Sequence, residues 1–109
     1  MKKIFVAFQD KKLLKAYNSL GASDENKKLL DWINGAIEDL KKSPSCGIKI
    51  PKKLWPKEYK KHDITNLWKY NLPDAWRLTY TIRENEVEII SMVLEWMNHK
   101  EYEKRFKYK

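Results

Sequence analysis

Asn66-Leu67-Trp68-Lys69-Tyr70-Asn71-Leu72-Pro73, then Trp76-Arg77-Leu78-Thr79-Tyr80-Thr81-Ile82, then a run ending Glu95-Trp96-Met97-Asn98-His99-Lys100-Glu101-Tyr102: this half of the chain decides the fold. In the first run Ile64, Asn66, Trp68, Tyr70 and Leu72 alternate with Thr65, Leu67, Lys69 and Asn71, the two-residue period of a strand. In the second, Trp76, Leu78, Tyr80 and Ile82 are set to face a core, which leaves Arg77, Thr79, Thr81 and Arg83 on the opposite side. Residues 87–96 are apolar on both faces, as a central strand should be. Pro73-Asp74 and Glu84-Asn85-Glu86 supply the turns. Three strands at hairpin spacing predict an antiparallel meander. Asn98 then caps a short last helix, with Glu101 three residues on, as a capping box prefers.

Working outward, Ile4-Phe5-Val6-Ala7-Phe8 reads as a short N-terminal strand. Asp10 caps a helix in which Leu13, Leu14, Tyr17 and Leu20 recur at helical spacing, and Gly21 ends it. Ser23 caps a second helix. Asp24 and Glu25 lie in its first turn and Lys41 and Lys42 at its end, both placements favoured by the macrodipole. Leu29, Leu30, Ile33, Ile37 and Leu40 form its apolar face, and Ser43-Pro44 closes it. Gly47-Ile48-Lys49-Ile50 reads as an edge strand, because Pro51 cannot continue a central one. Residues 49–61 form a surface loop or short helix. They hold Lys49, Lys52, Lys53, Lys57, Lys60 and Lys61, the densest positive patch in the chain. The expected architecture is α+β: an N-terminal strand, a helical hairpin on one face of an antiparallel meander sheet, and a short C-terminal helix.

The 109 residues amount to a single domain, 1–109, with no internal repeat or linker. The net charge of +8 argues for an acidic partner such as nucleic acid, a membrane surface or an acidic protein. Lysine beside aromatic, as in Lys53-Leu54-Trp55 and Trp68-Lys69-Tyr70, suits RNA, where cations hold phosphates and rings stack on bases. The ordinary alternative is that the rings are core and the lysines keep the protein soluble. The single cysteine, Cys46, excludes an internal disulfide, and no Cys/His spacing suits a metal. A reduced cytoplasm is expected, with no cofactor. Met1-Lys2-Lys3 is followed by too few apolar residues for a signal peptide, and no run reaches membrane-spanning length. Abundant Lys and Glu with one Cys hint at a thermophile.

If the helices cover the Trp68/Trp76/Tyr80 face, the other face is expected to be open. Lys69 and Arg77 then lie on neighbouring strands on that side. An arginine there is suited to phosphate, because its planar fork holds two oxygens. His99 and Tyr102, three residues apart, are expected on one helix face. Cleavage of RNA by its own 2′-hydroxyl needs a base, charge stabilisation at the phosphorane and an acid for the leaving oxygen. Arg77, Lys69, His99 and Tyr102 are the candidates for this set. The competing reading makes His99, Tyr102 and Phe106 a stripe that docks the helix, and Arg77 a surface partner of a cross-strand acid. His62 reads as solvated. Glu58 is either a salt-bridge partner or a general base.

At these residues the chain resembles the RelE/ParE superfamily of toxins from bacterial and archaeal type II toxin–antitoxin systems. The resemblance covers most of the chain through element order and is specific over residues 64–106. Trp76-Arg77-Leu78-Thr79-Tyr80 is similar to the family's aromatic-Arg-Leu-x-Tyr strand, and His99-Lys100-Glu101-Tyr102 to the His-x-x-Tyr ending of several members. The resemblance implies a RelE-like mRNA interferase that cleaves in the ribosomal A site by 2′-hydroxyl attack and so inhibits translation. It places Arg77 at the phosphate and Tyr102 and His99 as C-terminal catalytic residues. Lys69 matches one of two family lysines; the other falls on Asn71, a departure that weakens a lysine-based mechanism. Another branch uses an upstream glutamate, at a distance similar to that of Glu58. The expected RNA contacts are Lys52, Lys53, Lys57, Lys60, Lys61, Arg83, Lys100 and Arg105. The expected partners are mRNA, the ribosome and an acidic antitoxin. The alternatives are a ParE-like inhibitor of DNA gyrase, or a RelE-like fold that binds RNA or the ribosome without cutting.

Overall fold

The structure, a computed structural model, describes residues 2–60 and 63–106. Two packing layers arise from the pattern of apolar residues. Helices α1 (Lys11–Ser19) and α2 (Asp24–Lys42) form the hairpin. The Asp10 carboxylate accepts the Leu13 N–H at 2.8 Å and the Ser23 hydroxyl accepts the Asn26 N–H at 3.3 Å, so both helices are capped as their sequences predict. One face of α2 buries Leu29, Ile33, Ala36 and Leu40. Full burial of Ile33 and Leu40 contributes about 1.5–3 kcal/mol each.

The sheet has five strands in the order β1-β5-β4-β3-β2. They are β1 (Lys3–Phe8), β2 (Ile48–Lys49), β3 (Trp68–Asn71), β4 (Arg77–Glu84) and β5 (Glu88–Met97). Strands β3, β4 and β5 form the expected antiparallel meander, and β2 adds as a two-residue edge. Strand β1 joins the other side parallel to β5, so the sheet is mixed. The connection within this parallel pair is long, because α1, α2, β2, β3 and β4 all lie between β1 and β5.

The helical hairpin covers the face carrying Leu78, Tyr80 and Val93, with Trp68, Tyr70, Trp76 and Trp96 at its margins. The opposite face was expected to be open; the structure corrects this. A second core of Ile50, Trp55, Tyr59, Leu67, Leu94, Met97, Tyr102 and Phe106 covers part of it. Its cover consists of the basic segment with α3 (Lys57–Lys60) and the last helix, α4 (His99–Phe106). Trp55 and Tyr59, four residues apart, turn inward while Lys52, Lys53, Lys57 and Lys60 remain exposed. The basic segment is therefore amphipathic and not a plain surface loop.

Two local irregularities make this second core possible. Thr79 pairs with Glu95 but Tyr80 pairs with Val93, so Leu94 is an extra residue in β5. The bulge turns Leu94 and Glu95 to the same face and supplies Leu94 to the second core. On the far side of β4 the chain joins the β3 ladder only at Trp68. Asn66 bridges the gap: its side chain accepts the Ile82 N–H at 2.8 Å and donates to the Ile82 carbonyl at 2.9 Å. Ile64, expected on the Trp68 face, consequently packs against the second core.

Candidate functional site

Strands β3 and β4 carry two of the four expected catalytic residues, Lys69 and Arg77, and α4 brings a third, Tyr102, to them. Lys69 lies opposite Thr79, and Arg77 lies opposite Asn71 on one side and Met97 on the other. Alternation sends Lys69, Arg77 and Thr79 to the face covered by α4. There the Lys69 ammonium stands 5.2 Å from the centroid of the Tyr102 ring, and the Arg77 guanidinium carbon 5.3 Å from the same centroid. Both distances fall within cation–π range. Tyr102 is only 2% exposed and stacks on Phe106 at 4.4 Å.

Arg77 is half-buried, and one of its guanidinium nitrogens donates to the Trp76 carbonyl at 3.2 Å. Among the described residues its Nε–H is buried with no hydrogen-bond acceptor. A buried donor left unmatched costs about 1–3 kcal/mol. That atom is closed to solvent, so an oxyanion would meet the remainder of the half-buried guanidinium, with the Lys69 charge over the same ring.

His99 does not join the group. It was expected to share a helix face with Tyr102, but its side chain is 57% exposed and its Nε2 lies 2.7 Å from Glu103. The four-residue spacing to Glu103 keeps both on the solvent side, while Tyr102 and Phe106 point inward. Of the proposed docking stripe, then, Tyr102 and Phe106 dock and His99 does not. The capping box forms as read: the Asn98 side chain accepts the Glu101 N–H at 2.8 Å, and Glu101 accepts the Asn98 N–H at 3.0 Å.

Arg105, assigned to RNA from the sequence, is engaged within the chain. It donates to both oxygens of Glu95 at 3.0 and 2.8 Å, and its Nε lies 3.2 Å from Glu58. Glu58, the upstream candidate base, is thereby part of an ion pair. Glu95 was missed in the sequence because it sits in an apolar run; the bulge beside it brings it to this face. The Tyr59 hydroxyl hydrogen-bonds Thr79 at 2.8 Å, which anchors α3 beside Arg77. Burial, and then the Glu95 charge, push the Tyr59 phenol far up, so it stays protonated. It is a structural hydroxyl.

Lys52, Lys53, Lys57, Lys60 and Lys100 are exposed, as RNA contacts would require. Arg83 is exposed and donates to the Asp63 carbonyl at 3.2 Å. Lys61 and His62 lie outside the described residues. Among those described, no group of His, Cys, Asp and Glu is placed to hold a metal ion, and no helix is long and apolar enough to cross a membrane.

No family profile and no curated protein sequence matches the chain. Among solved structures it is similar to a YoeB/ParE toxin from Agrobacterium tumefaciens. The match has a TM-score of 0.58 and 19% identity, and covers 91% of this chain and 99% of that one. At this identity the likeness speaks to architecture, and it agrees with the element order expected from the sequence: the chain has the fold of a YoeB/ParE toxin.

Proposed function

We propose that this protein is the toxin of a type II toxin–antitoxin pair and acts as a ribosome-dependent mRNA endonuclease. The observation that carries the reading is the convergence of Lys69 and Arg77 over one ring. In this reading Arg77 and Lys69 hold the scissile phosphate and stabilise the phosphorane as the 2′-hydroxyl attacks. The lysines of residues 52–60 run along the RNA backbone or ribosomal RNA. The ribosome orders the mRNA, which supplies the geometry that free RNA lacks. An acidic antitoxin would neutralise the basic face. No cofactor is needed for this chemistry. Of the candidate bases, Glu58 is paired with Arg105 and His99 with Glu103.

Primer extension on mRNA translated in a cell-free extract tests the proposal. Wild-type protein is expected to produce codon-spaced cuts. Arg77→Ala should lower the cleavage rate by about 10²–10³, the usual cost of removing one transition-state donor, with the fold intact. Intact mRNA at concentrations where the protein binds ribosomes would reject the nuclease reading. Inhibition of gyrase supercoiling by the same preparation would then select the alternative function of this fold.

A further inference from the structure

Tyr102 carries a role different from the proton-transfer role that its position first suggests. The ring is buried, Phe106 stacks on it, and two cations from two strands approach it. Lys69 and Arg77 bear like charges on adjacent strands, an arrangement that repels and would drive flexible side chains apart. The negative face of an aromatic ring attracts both. A phenol this enclosed is poorly placed to meet a nucleotide, whereas its π-system is well placed to gather the two cations. We infer that Tyr102 is a positioning residue: its ring preassembles Lys69 and Arg77 into one phosphate-binding pair, and its hydroxyl is dispensable for that task. The helix α4 then has a purpose beyond closing the second core. Its capping box and the Arg105–Glu95 pair set the ring's height above β3 and β4.

The inference deepens the proposed phosphate site and makes a separable claim about it. Inorganic phosphate is the probe, titrated while the Arg77 Nε–H resonance is followed by NMR, so that binding at other lysines does not register. Tyr102→Phe should bind phosphate at this resonance as wild type does. Tyr102→Leu, with its fold verified by circular dichroism, should bind about tenfold more weakly, the loss expected from two partly exposed cation–π contacts. Equal binding by wild type and Tyr102→Leu would overturn the inference, as would Tyr102→Phe binding as weakly as Tyr102→Leu. If Tyr102→Leu does not fold, the wild-type protein decides: Lys69 side-chain protons near the terminal amine must show upfield ring-current shifts that persist in Tyr102→Phe. Their absence would overturn the claim. None of these readouts requires RNA cleavage. Loss of the nuclease proposal with the phosphate results intact would therefore leave the positioning role standing.

Discussion

At the scale of single residues, two small side chains mark where the backbone is under most constraint. A Cβ on Gly47 would lie 2.6 Å from the Lys69 carbonyl oxygen and 2.6 Å from the Tyr80 hydroxyl. The same glycine donates its N–H to Tyr80 at 3.1 Å, and Tyr80 donates to the Pro44 carbonyl at 2.7 Å. Gly47→Ala must push β2 off β3, and is expected to lower stability by about 1–3 kcal/mol in urea unfolding. The opposite case is the β3–β4 turn, where Asp74 has φ 55 and Ala75 φ 60. Pro73-Asp74 was read as the turn; the two central residues are Asp74 and Ala75, both in the left-handed region. Aspartate tolerates it, but alanine loses about 1 kcal/mol there. Ala75→Gly should therefore raise stability by up to about 1 kcal/mol, the relief of strain offset in part by a more flexible unfolded chain. A lower urea midpoint in that variant would contradict this account.

At the scale of elements, α4 is attached by unequal interactions. Tyr102 and Phe106 bury against the sheet, and Arg105 bridges Glu95, whose side chain is 25% exposed, to Glu58. The His99–Glu103 pair is open to solvent. Arg105→Met leaves two carboxylates without their shared cation and should lower stability by about 1–2 kcal/mol, a figure reduced for partial exposure. Glu103→Ala should change it by less than about 0.5 kcal/mol. Equal effects in chemical denaturation would show that α4 is held by its apolar residues alone. The β5 bulge acts at the same scale. By turning both Leu94 and Glu95 toward α4, it provides the floor for the second core and the anchor for Arg105 in one step.

At the scale of the whole molecule, two phenols, half-buried Tyr70 and buried Tyr80, link the fold to pH. Tyr70 is pushed up to about 12, first by its hydrogen bond to Asp39 and then by burial. Burial pushes Tyr80 up to about 12 as well. Their ordinary value is 10.0. The folded protein thus favours the protonated phenols. This stabilisation is fully present below about pH 10 and lost as pH rises from about 10 to 12. Unfolding midpoints should be flat in this respect through neutral pH and fall steeply across that alkaline window. Tyr70→Phe should flatten part of the fall. A phenolate absorbance titration showing every tyrosine ionising near 10 would contradict the assignment.

The amino-acid sequence determined the meander, the capped helical hairpin and the capping box at Asn98, because periodicity and caps are local and act within a few residues. It also placed Lys69 and Arg77 on one side of the sheet, since alternation along a strand needs no knowledge of the remainder of the chain. The parallel docking of β1 on β5, the burial of Trp55 and Tyr59, and the separation of His99 from Tyr102 were decided only by the tertiary structure. The first two depend on partners distant in the chain, β5 for β1 and the second core for Trp55 and Tyr59; the third follows from which face of α4 that core takes up. The pairing of two cations over the Tyr102 ring belongs to that second group, because no spacing along the chain specifies which ring a strand's charges will meet.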